Sequence, residues 1–161
     1  MDFHERLEKA IERGQHASNR RAEAEQLRAV NEQDLHRLYA QYRLDLSDRT
    51  EAALRQLADH FPGFQFETVV GERGWGAAVS RDDIEIQPDR NRRNYFSRLE
   101  LVVRPTSPAN LLELAAKATV RNKELFNRTH YHRLAEVDLT SFHETMDLWV
   151  LEFAETFAAQ T

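Results

Sequence analysis

Two histidines with one residue between them, His130 and His132, have a spacing that suits metal binding. Residues two apart on a β-strand project from the same face of a sheet, so both imidazoles can reach one ion. Two nitrogens do not complete a site, and the sequence does not place a further ligand. The candidates for that ligand are His143, Glu144, Glu124 and His60. A metal site at His130 and His132 is therefore one hypothesis, and a solvated pair on an edge strand is the other.

A basic set of side chains surrounds these histidines in the sequence. If residues 116–120 and 125–132 are adjacent antiparallel strands, cationic groups from both strands can meet on one polar face. Such a patch would suit a phosphate, a carboxylate or an acidic peptide, since charge-assisted hydrogen bonds bind these groups well. The predicted anion-binding residues are Arg121, Lys123, Arg128, His130 and His132. The alternative is a solvated face with charge pairs between neighbouring strands.

Other catalytic patterns are weak in this sequence. The glycine-rich stretch 71–76 precedes a predicted strand rather than a helix, which favours a hairpin turn over a phosphate-binding loop. No serine lies in the Gly-x-Ser-x-Gly pattern of a nucleophile elbow. We predict no cofactor and no catalytic residue, and whether the protein is an enzyme stays open.

Composition limits the classes of partner. The 161 residues carry 22 Lys and Arg against 27 Asp and Glu, a net charge of −5, and no long segment is basic overall. Nucleic-acid binding is therefore not expected, because its affinity comes mainly from neutralising phosphates. No apolar run approaches the roughly 18 residues of a membrane span, and no membrane association is predicted. Cysteine is absent, and a cytoplasmic location is the simplest interpretation.

Residues 1–60 have the composition of a helix, with no Pro and one Gly. An unbroken helix of this length would extend roughly 85 Å, whereas a compact chain of this size has a radius of gyration of about 15 Å. The helix is therefore expected either to fold back near Leu44–Asp48 as a helical hairpin or to find a partner. Large apolar residues are missing over Glu12–Gln26. This segment is interpreted either as a stripe of small residues that lets another helix approach closely or as a solvated arm.

Beyond Phe61 the apolar period changes to two, which predicts an antiparallel sheet of about four to five strands. Turns are expected at 71–74 and at 81–83, and the most strongly alternating strand is 95–104. Residues 108–118 are ambiguous: Ser107-Pro108 resembles a helix start, but the strict alternation that follows favours a strand. The final strand is expected over 125–132.

The apolar stripe of the last 24 residues predicts an amphipathic helix that covers one sheet face. The fold class is therefore α+β in a single domain, with a helical arm at 1–60, an antiparallel sheet at 61–137 and a C-terminal helix at 138–161. We expect an interaction or adaptor module that forms a homo-oligomer, or binds another protein, through its N-terminal helix. The alternative is an enzyme that binds a small molecule, an anion or a metal on the basic and histidine face.

Overall fold

The computed structural model describes residues 2–161, apart from the side chain of Val30, and has the predicted α+β architecture. Its elements in chain order are α1 (Phe3–His60), β1 (Gln65–Gly71), β2 (Gly74–Ile86), β3 (Arg92–Val103), β4 (Leu111–Val120), β5 (Lys123–Arg133), a 3-10 turn (Leu134–Glu136) and α2 (Leu139–Gln160). No helix within residues 2–161 is long and apolar enough to cross a membrane.

The first helix is continuous through residues 44–48, so the alternative of a helical hairpin is not adopted. The chain divides into two compact units, one ending at Arg37 and the other spanning Leu38–Thr161. In the first unit every described side chain is exposed except those of Ala17 and Leu35, which are half-buried. The second unit contains the rest of α1, the sheet and α2.

The five strands form one antiparallel sheet in the order β1-β2-β3-β4-β5, so each strand pairs with its neighbour in sequence. Residues 111–120 are a strand, as the alternation predicted. The prediction of a turn at 81–83 was wrong, because β2 continues through these residues. The polar residues there bond within the sheet: Arg81 Nε donates to Asp83 Oδ1 at 2.8 Å, and Asn94 on β3 donates to Asp82 at 3.1 Å, while Asp83 Oδ2 is buried without a hydrogen-bond partner.

One sheet face is covered by helices, as the apolar stripe of α2 predicted. Alternate residues of the central strands are fully buried on this face, and so are the residues that α2 presents to it. They include Leu99, Leu101, Leu112 and Leu114 on the strands, and Phe142, Met146 and Phe153 on the helix. The helix begins after Asp138, whose carboxylate accepts a hydrogen bond from the Thr140 N–H at 3.1 Å. We call the sheet face that the helices cover the helix face.

Two glycines allow β2 to approach β3 closely. A Cβ added to Gly76 would lie 1.9 Å from the carbonyl oxygen of Leu101, and one added to Gly74 would lie 2.1 Å from that of Val103. Gly74 also has a φ of +130°, which side-chain-bearing residues rarely adopt. The glycine-rich stretch therefore serves the β1–β2 turn and the close pairing of β2 with β3.

Candidate functional site

The predicted anion patch is divided by the register of β4 and β5. Arg128, His130 and His132 pair with Ala116, Leu114 and Leu112, so their side chains lie at the edge of the helix face. Arg121 lies in the β4–β5 turn, and Lys123 begins β5 opposite Val120. The structure therefore brings Arg128 and the two histidines to one face and leaves Arg121 and Lys123 at the hairpin end.

The two predicted arginines already have partners within the protein. Both terminal guanidinium nitrogens of Arg128, Nη1 and Nη2, donate to the carboxylate of Glu152 on α2, at 2.6 and 3.2 Å. Arg121 lies 4.0 Å from the ring centre of Tyr95 and 3.4 Å from Glu85. These contacts reduce what either side chain can offer to an external anion. The anion-binding role of the set stays a prediction.

The histidine pair packs against the start of α2. The two imidazole centres are 4.9 Å apart, and both rings meet the edge or face of Phe142 at 4.6 to 4.9 Å. Nε2 of His130 and the hydroxyl of Ser141 form a hydrogen bond of 3.1 Å. Burial lowers the pKa of His130, and the charge of His132 lowers it further.

A metal ion at the histidine pair would need a third ligand. Across residues 2–161 the structure gathers no group of three or more His, Cys, Asp or Glu side chains with the geometry to hold an ion. His143, one of the candidates for that ligand, pairs with Asp45 at 2.6 Å instead. A metal role of His130 and His132 stays a prediction.

Sequence reasoning missed a cleft on the opposite side of the sheet, which we call the open face. It carries small residues on β2 and β4, among them Gly76, Ala78 and Ala115. A cavity of about 340 Å³ lies on this face. The residues that line it include Arg73, Glu100, Val102, Arg104, Lys117 and Asn127.

Glu100 is the buried charge of this open-face cleft, with only 6% of its side chain exposed. One carboxylate oxygen, Oε1, accepts a hydrogen bond from Arg73 in the β1–β2 turn and lies 3.9 Å from the Arg98 guanidinium. Arg98 is in turn 2.7 Å from Glu67 on β1. A buried carboxylate requires such compensation, because removing it from water is costly. The signal in the sequence was the alternation of Arg98, Glu100 and Val102 on β3.

The helix α1 offers a second surface, in the unit that ends at Arg37. Its large apolar residues are solvent-exposed: Phe3 is 75% exposed, Ile11 53% and Leu27 63%. Phe3, Leu7 and Ile11 follow one another at four-residue steps and therefore lie along one side of the helix.

An apolar groove is the largest of the described cavities, at about 770 Å³, and it belongs to the second unit. It runs between residues 49–61 and α2, where Leu57, Phe61 and Leu151 contribute to its walls.

Comparison of the chain with protein-family models, with curated proteins and with solved structures gives no match.

Proposed function

We propose that the protein is a cytoplasmic interaction module that self-associates through residues 3–35 of α1. The observation that supports this proposal is the exposure of Phe3 and Leu7, with Ile11 beside them, along a helical segment that has almost no buried side chain. An isolated helix is marginally stable in water, because most helical stability in proteins comes from packing an apolar face. Burying each large side chain would add about 1.5–3 kcal/mol.

The pairing partner in this proposal is a second copy of the same helix. Steps of four and three residues connect Phe3, Leu7, Ala10, Gly14 and Ala17, which is the spacing of a coiled-coil seam. Continuing these steps brings Arg21, Ala24, Arg28, Asn31 and Leu35 onto the same seam. The small residues permit close approach of the two helices, and the arginines restrict how the helices can be arranged.

An antiparallel arrangement fits the seam better than a parallel one. In a parallel pair Arg21 and Arg28 would each meet their own copy, and like charges in a seam are unfavourable. In an antiparallel pair centred near residue 19, Arg28 lies opposite Ala10 and Arg21 opposite Ala17, where small side chains leave room. The same register sets Phe3 opposite Leu35.

Charges beside the seam also favour the antiparallel register. Arg6 of one copy comes near Asp34 of the other, and His4 comes near Glu32. Each pair is solvent-exposed and adds little stability, but opposite charges help to select orientation. The proposed assembly is therefore an antiparallel helix pair that leaves residues 38–161 of each copy as the binding part of the module.

Native mass by light scattering tests self-association, with the full chain and two matched variants. Leu7→Glu places a charge in the seam opposite Asn31, and Asn19→Glu places the same charge on the opposite side of the helix. We expect a dimer for the full chain and for Asn19→Glu, and a monomer for Leu7→Glu. A monomeric full chain, or equal loss in both variants, would contradict the proposal.

Disulfide trapping tests the orientation, because the chain contains no cysteine of its own. In the antiparallel register Leu7 lies opposite Asn31, so the double variant Leu7→Cys and Asn31→Cys is expected to form an intermolecular disulfide. Asn31→Cys alone brings the two thiols together only in a parallel pair. Rapid cross-linking of that single variant would replace the antiparallel arrangement by the parallel one.

The alternative function is an enzyme that binds a small molecule, an anion or a metal with Arg121, Lys123, Arg128, His130 and His132. It has less support, because Arg121 and Arg128 are paired with carboxylates and the histidines pack on Phe142. Metal analysis of protein purified without an affinity tag tests it. Stoichiometric zinc, iron or manganese would favour the enzyme.

The cytoplasmic location in our proposal is tested by fractionation of the source cells.

A further inference from the structure

We propose that the open-face cleft binds a small organic acid, with an anionic group at Lys117 and Asn127 and an apolar body on Val102 and Ala115. This site is independent of self-association, because every residue in it belongs to the unit Leu38–Thr161. Its volume of about 340 Å³ lies at the lower end of the range that ligand pockets occupy.

The first argument is the state of Lys117. It pairs in register with Glu100 across β3 and β4, but the carboxylate is compensated by Arg73 and Arg98. Among the ion pairs of residues 2–161, none involves Lys117, and its side chain is exposed at the cleft. Its ammonium group is therefore available to an external acceptor.

The second argument is the arrangement of donors along the cleft. Asn127 is the register partner of Lys117 on β5 and lines the same cavity. Arg104 follows β3 at the other end of the cleft, where its guanidinium donates a hydrogen bond to Glu113 at 3.4 Å. Lys117 and Asn127, as neighbours on β4 and β5, can donate hydrogen bonds to one carboxylate, and charge-assisted bonds of this kind are the stronger ones.

The third argument is the floor of the cleft. Val102 and Ala115 are register partners on β3 and β4, and Pro105 follows β3 at the rim. These side chains form a shallow apolar surface between the charged groups. A ring or short alkyl chain fits such a surface, so the ligand class is an amphipathic acid rather than a free inorganic anion.

Titrations of the full chain with benzoate, benzamide and acetate, followed by amide NMR shifts, test this site. We expect benzoate to shift the amides of residues 100–104 and 115–118 with a dissociation constant of about 1 mM. Benzamide lacks the charge and acetate lacks the ring, so each is expected to bind about tenfold more weakly. Absence of benzoate shifts in these strands, or binding of benzamide or acetate as tight as that of benzoate, would overturn the proposal.

Three variants assign the binding to the cleft. Lys117→Gln is expected to weaken benzoate binding about tenfold, while Lys9→Gln, at an exposed lysine outside the cavity, is expected to leave affinity unchanged. Glu100→Gln removes the negative charge beside the anion and is expected to tighten binding severalfold. Amide spectra confirm that each variant is folded. Equal weakening by both lysine variants, or weaker binding by Glu100→Gln, would contradict the assignment.

Discussion

Glu100 and Lys117 are register partners on β3 and β4, yet the lysine does not neutralise the glutamate. The carboxylate is instead compensated by Arg73, which reaches it from the β1–β2 turn, and by Arg98 two residues away on β3. The carboxylate thereby fixes the hairpin turn to the centre of the sheet. The cation expected to pair with it stays available for other contacts.

The Arg73–Glu100 pair is expected to contribute measurably to stability. Arg73→Ala should lower the free energy of unfolding by about 1–2 kcal/mol, because it leaves a buried carboxylate with Arg98 alone. The loss stays below that of a fully buried pair, since 65% of the Arg73 side chain is exposed. Urea unfolding measures it, with exposed Arg92→Ala as the control. Equal stability of the two variants would show that the pair adds nothing.

The close approach of β2 to β3 depends on Gly76. Gly76→Ala places a methyl group 1.9 Å from the Leu101 carbonyl oxygen, so a strand must shift and stability should fall by at least about 2 kcal/mol. Gly14→Ala is the matched control, because nothing lies within 4 Å of the added methyl group. There the helix should gain up to about 1 kcal/mol. Thermal unfolding followed by circular dichroism compares them, and an unchanged Tm for Gly76→Ala would refute the prediction.

Much of the fold was predictable because it depends on local periodicity. The alternation in residues 111–120 correctly outweighed the helix-start signal of Ser107-Pro108. The same reasoning failed at Arg81–Asp83, where three charged residues resembled a turn. Arg81 bonds to Asp83 within β2, and Asn94 bonds to Asp82 from β3, and a sequence pattern does not display such pairs.

The candidate site was harder to predict because it depends on which strand face is covered. Alternation places Arg128 and His130 on one face of β5 but does not say which face α2 contacts. The register with Leu114 and Ala116 decides that, and it puts both residues beside α2. The open-face cleft depends on strand order and on Arg73 reaching across from a turn, which are tertiary relationships.

Arg128 is expected to stabilise the contact between β5 and α2. A double-mutant cycle with Arg128→Ala and Glu152→Ala should give a coupling of about 0.5–1 kcal/mol, the range for partly exposed pairs. Thermal unfolding in added phosphate distinguishes this role from anion binding. We expect phosphate to have the same effect on the natural chain and on Arg128→Ala. A phosphate-dependent rise in Tm that the variant loses would restore the predicted anion site.

The contact between β5 and α2 is also expected to weaken in acid. The pKa of His130 is lowered, mainly by burial and also by the neighbouring His132, so the unfolded chain binds the proton more readily. The resulting stabilisation is fully present above the unfolded value of 6.5 and is lost as the pH falls through the lower pKa of the folded state.

Denaturant unfolding between about pH 8 and pH 5 measures this loss. The groups nearest His130 are His132 on the same strand and Ser141 and Phe142 on α2, so a positive imidazole would meet a neighbouring histidine and lose its ordinary hydration. His130→Gln cannot be protonated in this range and should flatten the pH dependence, whereas exposed His36→Gln should leave it unchanged. If His130→Gln kept the slope of the natural chain, the acid sensitivity would have to come from another group.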